Sequence, residues 1–213
     1  MALSDVLTGY GGQKFPLPSI AGKYKRGLVV CGDAACVWKD LEAFGCASRV
    51  GRGSVQKEGW DFLTVNRLVE TFPGVVEHAY SNNAEHLKRF IAARRDEYKR
   101  EDFEGPRNTH SCSKGVMWRW PWSGHGTSLL GAVLVGVGLG YDAVVICGGP
   151  LDDGPHNGEP HWRKCRFTQS EAPPQVDSEV NSHWQKAIRL AFDGKVRSMS
   201  GRTREWLGAP ECS

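Results

Sequence analysis

Apolar and polar positions change period along this chain in a regular order. "GLVVCG", residues 27 to 32, is a continuous apolar run closed by glycine, which predicts a short buried strand. In "DAACVWKDLEAFG" the positions Ala34, Val37, Leu41 and Phe44 recur at spacings of three and four, one helical face that ends at Gly45. The plan then repeats. "WDFLTVN", residues 60 to 66, predicts a second strand, "RLVETF" a helical turn stopped by Pro73, and "GVVEHAY" a third strand. "SNNAEHLKRFIAARRDEYKR" predicts a helix with Leu87, Phe90 and Ile91 on one face and a capping box from Asn82 and Glu85.

The second half continues the alternation. "THSCSKGVMWRWPW" has room for a strand, and "GTSLLGAVLVGVGLGYDAVVICGG" predicts a buried glycine-rich helix, a turn at Gly140 to Asp142 and another strand. Gly136 and Gly138 weaken that helix. Residues 149 to 177 hold five prolines and predict a long loop. "DSEVNSHWQKAIRLAF" predicts a helix, "KVRSMS" a last strand and "GRTREWLG" a short closing helix. Residues 1 to 26, with Gly9, Gly11, Gly12, Pro16, Pro18 and Gly22, read as an irregular arm ahead of a single domain over 27 to 213. Strand and helix alternating in this way predict a parallel sheet with helices on both faces. Ligands of such sheets bind beyond the carboxyl ends of the strands. The loops after Cys31, Val65, Ala79, Cys147 and Met199 are therefore the place to look for chemistry.

Composition narrows the class. A chain of 213 residues suits one domain, and 40% hydrophobic with 24% charged residues suits a soluble globular protein. The net charge of +3 is too small to identify a partner. The seven cysteines lack the tight spacing of a secreted scaffold, and "MALSDVLTGYGG" lacks a basic region followed by an apolar core. Reduced thiols and a cytoplasmic location follow as the expectation. The longest uncharged apolar stretch, Leu129 to Tyr141, is too short to span a bilayer, so no membrane segment is expected. The oligomeric state leaves no trace in the pattern.

At the predicted strand ends the residues suit phosphate. "CGDAAC" brings Gly32 and Asp33 to a tight turn before a helix, where backbone approaches a ligand and the helix start favours an anion. It is neither GxGxxG nor a Walker loop. Asn66 offers a donor and an acceptor to a base or ribose, or else caps "RLVETF". "WPWSGHGTSLLG" sets Thr127 and Ser128 before a helix, as an anion site or as plain capping. "KVRSMSGRTREW" interleaves Lys195, Arg197, Arg202 and Arg204 with Ser198, Ser200 and Thr203, a phosphate-friendly set. Gly148 and Gly149 close the strand "AVVIC", and the polar loop beyond them carries Asp152, Asp153, His156 and His161. A histidine there suits a general base, oriented by a carboxylate. With Cys165 the histidines match no strong zinc pattern.

"VVCGDAACVWKDL", then "FLTVN", then "WSGHGTSLLGAVLVGVGLGYDAVVICGGPLDD" with a histidine following, resembles a group of small bacteriophage-encoded proteins. That pattern is in turn similar to the Rossmann-like bacterial sialyltransferases and to related proteins that bind a nucleotide diphosphate or a pterin. The resemblance covers roughly residues 27 to 162. It implies a Rossmann-like, doubly wound, mostly parallel sheet. It also implies nucleotide contacts at Gly32, Asp33, Asn66, Thr127, Ser128, Gly148 and Gly149, with Asp152 in the acidic loop and a general base at His156 or His161. The first turn departs from the group's Gly-Pro-Ser with Asp33, Ala34 and Ala35, and the glycine that usually follows the hydroxyl residue at the later helix is absent.

The implied activity is glycosyl transfer from a nucleotide-activated sugar. Helix starts with Lys195, Arg202 or Arg204 would neutralise the leaving phosphate, and a histidine would deprotonate the acceptor. The fold needs no cofactor, although Asp152 and Asp153 leave room for a divalent metal. "KGVMWRWPW" and the basic helix before it mix cations with Trp118, Trp120 and Trp122. Such a mixture suits DNA as acceptor, as in a phage enzyme that modifies a hydroxylated base, or it suits packing. Two other classes fit the same residues: a non-catalytic nucleotide-sequestering protein and a DNA-binding accessory protein.

Overall fold

Residues 28 to 31 show why the main sheet lies at the centre of the molecule. Leu28 and Val30 enter one hydrophobic cluster and Val29 and Cys31 the other, all four with no exposed surface. A strand that buries both faces needs a continuous apolar run, because alternate side chains point to opposite layers. "AVVIC" behaves alike: Val144 and Ile146 pack on one side, Val145 and Cys147 on the other.

A computed structural model describes residues 6–8, 14–16, 19–24, 26–46, 55–98, 105–122, 127–151 and 178–211. Two short strands, β1 (Val6–Thr8) and β2 (Lys14–Pro16), form an antiparallel pair. The arm is therefore not irregular throughout. Beyond the hairpin, Gly22 N–H donates to the Leu139 carbonyl at 2.9 Å, and Tyr24 stacks on Tyr141 with ring centroids 5.0 Å apart.

The main sheet is built from β3 (Gly27–Cys31), β4 (Trp60–Val65), β5 (His78–Tyr80), β6 (Asn108–Ser111), β7 (Trp118–Arg119), β8 (Ala143–Cys147) and β9 (Val196–Ser198). Its order is β7-β6-β5-β4-β3-β8-β9, and every neighbouring pair is parallel. The expectation of a mostly parallel sheet is thus met by an all-parallel one. "THSCSKGVMWRWPW" supplies two strands rather than one.

The helices are α1 (Val37–Ala43), α2 (Leu68–Thr71), α3 (Ala84–Tyr98), α4 (Ser128–Leu139), α5 (Ser178–Leu190) and α6 (Gly201–Leu207). Val37 and Leu41 of α1, Leu68 and Val69 of α2 and Leu87 of α3 line one layer. Most of α4, with Trp184 and Ala187 of α5, lines the other. The sheet is doubly wound. The glycines of α4 serve packing: a Cβ on Gly136 would come 2.6 Å from Leu28 Cδ2, so only glycine lets the helix lie this close to β3. The cap of α3 is Asn83 and not Asn82. Its Oδ1 accepts from the backbone N–H of Glu85 at 2.9 Å and of His86 at 3.2 Å.

Candidate functional site

From β3 the chain winds outward through β4, β5, β6 and β7, and it then returns through α4 to place β8 on the other side of β3. The β3/β8 boundary is where the winding reverses. Loops leave it in opposite directions, and in open α/β sheets the crevice that receives a ligand lies at such a point, beyond the carboxyl ends of the two strands. Three segments meet there: the turn after β3, the turn after β8 and the stretch from β9 into α6.

Two buried glycines join the first two of these segments. Gly32 N–H donates to the Cys147 carbonyl at 2.8 Å, and Ala34 N–H donates to the Gly148 carbonyl at 3.2 Å. A Cβ on Gly32 would fall inside the Gly148 carbonyl, and one on Gly148 would come 2.6 Å from the Gly32 carbonyl and 2.5 Å from Val37 Cβ. Gly148 also sits at φ 69°. Each glycine is therefore required by the other, which the local pattern did not say.

A buried carboxylate ties the segments together. Asp40, on the inner face of α1 and 6% exposed, accepts at Oδ2 from Gly148 N–H at 2.8 Å and from the Ser200 hydroxyl at 2.6 Å. Ser200 stands at the N-cap of α6, yet its hydroxyl makes no bond to that helix. Its one proton goes to Asp40, so in the 3.6 Å contact with Cys36 the thiol is the donor. Thr203 Oγ1 lies 2.7 Å from both the Gly149 carbonyl and Ser198 Oγ. The carbonyl can only accept, so Thr203 donates to Gly149 and Ser198 donates to Thr203. Arg202 N–H donates to the Pro150 carbonyl at 2.8 Å. Ser198 and Ser200, expected at phosphate, thus use their hydroxyl protons inside the protein. Arg202 is half-buried and Arg204 exposed, both on α6 beside the crevice. Asp33 is half-buried in the first turn.

Further along the rim, Asn66 follows β4 with φ 53°, and its N–H donates to the Tyr80 carbonyl at 2.9 Å. It is not the cap of α2, whose N-cap position is Arg67. Thr127 caps α4, accepting from Leu130 N–H at 3.2 Å, and Ser128 Oγ accepts from Asn82 N–H at 3.4 Å. Asn82 is held on several sides. Tyr80 donates to its Oδ1 at 2.8 Å, and its carbonyl accepts from the Ser111 hydroxyl at 3.1 Å, the Cys112 thiol at 3.2 Å and the Ser113 hydroxyl at 2.9 Å. In "SNN" both asparagines suit a cap. The choice of Asn83 for the helix leaves Asn82 at the end of β5.

The structure brings Gly32, Asp33, Gly148, Gly149, Ser198, Ser200, Arg202 and Arg204 together at the switch point, and it sets Asn66, Thr127 and Ser128 along the same edge of the sheet. Asp152, Asp153, His156 and His161 lie outside the described residues. So do Ser123 to Gly126. Asp40 went unnoticed although a signal existed: with Val37, Leu41 and Phe44 it completes the helical stripe, a charge at a core position. Among the described residues no group of three or more His, Cys, Asp or Glu is placed to hold a metal, and no helix is long and apolar enough to cross a membrane.

The tryptophans have packing roles. Trp120 is 2% exposed, stacks on Trp122 with centroids 5.0 Å apart and donates from Nε1 to His110 Nδ1 at 2.9 Å. Trp118 Nε1 donates to Asn108 Oδ1 at 3.2 Å. Burial drives the thiols of Cys31 and Cys147 well above their usual range, and that of Cys46 up to about 11. These three are neutral packing groups.

No family model matches the sequence, and no curated sequence is similar enough to count as a relative. Among solved structures the chain is similar to the monofunctional α-2,3-sialyltransferase Cst-I from Campylobacter jejuni. The TM-score is 0.55 at 12% identity, over 92% of this chain and 83% of that one. The shared property is the fold alone.

Proposed function

We propose that the chain is a glycosyltransferase that takes a nucleotide-activated sugar at the β3/β8 crevice. One observation carries the reading: in a fold similar to that of a sialyltransferase, the turns after β3 and β8 and the start of α6 meet at the switch point of the sheet, with polar residues along the rim. Gly32 and Gly148, buried against each other, bring the two turns together, and a nucleotide would lie on the surface those turns present. Arg202 and Arg204 suit the charge that grows on the leaving phosphate. His156 or His161 is the proposed base for the acceptor hydroxyl, with Asp152 or Asp153 to orient it or to take a divalent metal.

For the acceptor, the exposed cations Lys88, Arg89, Lys114 and Arg119 support a polyanion, a hydroxylated DNA base of a phage among them. Trp120 lends that part no support, since it is buried.

The test is calorimetric titration of the protein with CMP-, UDP-, GDP- and ADP-sugars and their free nucleotides, with and without Mg²⁺. A single nucleotide-sugar that binds, and is hydrolysed or transferred in a way that the His156→Ala, His161→Ala double variant abolishes, is the expected result. Binding with turnover absent from both proteins would favour a sequestering protein. No binding by any donor, with tight salt-dependent DNA binding in its place, would favour the accessory reading.

A further inference from the structure

Asp40 stands where an apolar residue would satisfy the helix. Its neighbours on the stripe, Val37, Leu41 and Phe44, pack into the core. A buried carboxylate is costly unless it is well hydrogen-bonded. The bonds at its Oδ2 leave α1 for distant parts of the chain, 108 residues away at Gly148 and 160 at Ser200. Neither bond supports α1 itself. Bonds of an ionised acceptor are the strong kind, short and charge-assisted, and these measure 2.8 and 2.6 Å. The carboxylate therefore fixes the turn after β8 and the entry to α6 against the turn after β3. Those are the three segments that border the crevice.

We infer that Asp40 is a positioning residue of this crevice. Through the Gly148 amide and the Ser200 hydroxyl it sets the spacing between the loops on either side of the switch point, and so preorganises the surface that receives the ligand. The ligand part of this inference rests on the nucleotide reading above. The loop-spacing part does not.

The experiment compares Asp40→Asn, Ser200→Ala and Val76→Ala with the unaltered protein. Val76 is buried at the opposite end of the sheet, just before β5, and serves as a destabilised control. Backbone hydrogen exchange is followed by mass spectrometry, and affinity by titration with the nucleotide-sugar that binds the unaltered protein. In Asp40→Asn, exchange should rise about tenfold or more in peptides covering 148–151 and 199–203, with α3 unchanged. In Ser200→Ala only the 199–203 peptide should respond. Affinity should fall about tenfold or more in Asp40→Asn, and less in Ser200→Ala, while Val76→Ala melts earlier but binds normally.

Uniform loosening across the sheet in Asp40→Asn, or an affinity loss matched by Val76→Ala, would overturn the inference. If Asp40→Asn does not fold, Ser200→Ala decides: no local response there would overturn it as well. If no nucleotide binds the unaltered protein, the nucleotide reading falls, and the exchange pattern alone judges the role of Asp40.

Discussion

Nδ1 of His78 lies 2.9 Å from Nε2 of His110, and the two rings form the middle of a buried hydrogen-bond chain whose direction is forced from both ends. At one end the Trp120 indole can only donate, so His110 Nδ1 accepts and its proton sits on Nε2. That proton goes to His78 Nδ1. His78 must then carry its proton on Nε2, which donates to the Tyr141 oxygen at 2.8 Å. Tyr141 passes its own proton to Asp61 Oδ2 at 2.9 Å, and Arg26 meets the same carboxylate at 3.2 Å. Both histidines are neutral and their tautomers are fixed. Burial holds His78 down to about 3 and His110 well below the usual range.

A dependence of stability on pH follows. In the unfolded chain both histidines take up protons as pH falls through about 6.5, whereas in the folded chain they do not. The unfolded state then binds more protons, so stability is full above that pH and declines below it, down to about 3 for His78. The slope should approach about 1.4 kcal/mol per pH unit for each histidine. Urea unfolding between pH 7.5 and 5 checks this, in the window above carboxylate titration. A midpoint constant over that range would contradict the neutral pair.

Asn66 holds φ 53°, a conformation that asparagine and glycine tolerate better than other residues. Asn66→Ala should lower stability by about 1 kcal/mol, and Asn66→Gly by less. If the side chain also meets the nucleotide, both variants lose affinity. If Asn66 serves conformation alone, Asn66→Gly binds as the parent does. Paired melting and titration curves separate the two roles.

Gly32→Ala places a methyl group inside the Gly148 carbonyl, which belongs to backbone and cannot swing away. The ends of β3 and β8 would have to part, and we expect a loss of about 3 kcal/mol or more. Gly105→Ala is the control, since a Cβ there meets nothing within 4 Å. Chemical denaturation of both should show a large shift for the first and a small one for the second. Equal shifts would mean that β3 and β8 do not approach through bare backbone.

Arg94 is 1% exposed on α3 and donates to three carbonyls at the end of α2: Val69 at 2.9 Å, Phe72 at 2.6 Å and Gly74 at 2.9 Å. Arg94→Met keeps much of the volume and removes the donors. The loss should be about 3 kcal/mol, with the fold retained, because three carbonyls lose a charged donor and, among the described residues, only the Phe72 carbonyl keeps a second one, the Gly74 N–H. Thermal unfolding measures it, and a shift within about 0.5 kcal/mol of zero would mean that water replaces the guanidinium.

Strand and helix alternation was readable from the chain alone because burial face is a local property: period two or a continuous run for the sheet, period three to four for its cover. The strands at 27–31, 60–65 and 143–147 and the helices behind them emerged in this way. The same alternation gave the expectation of a site at the carboxyl ends. Partners distant in sequence did not emerge. Nothing near Asp40 announces Gly148 or Ser200, and nothing near Trp120 announces His110 as its acceptor rather than a base to stack on. The choice of Asn83 over Asn82 for the cap, the mutual need of Gly32 and Gly148 and the pairing within the arm are of the same kind. The physical reason is that closing a longer loop costs only slightly more than closing a short one. Local pattern therefore sets which residues are buried, and strand order and register, decided by packing over the whole molecule, set what each of them meets.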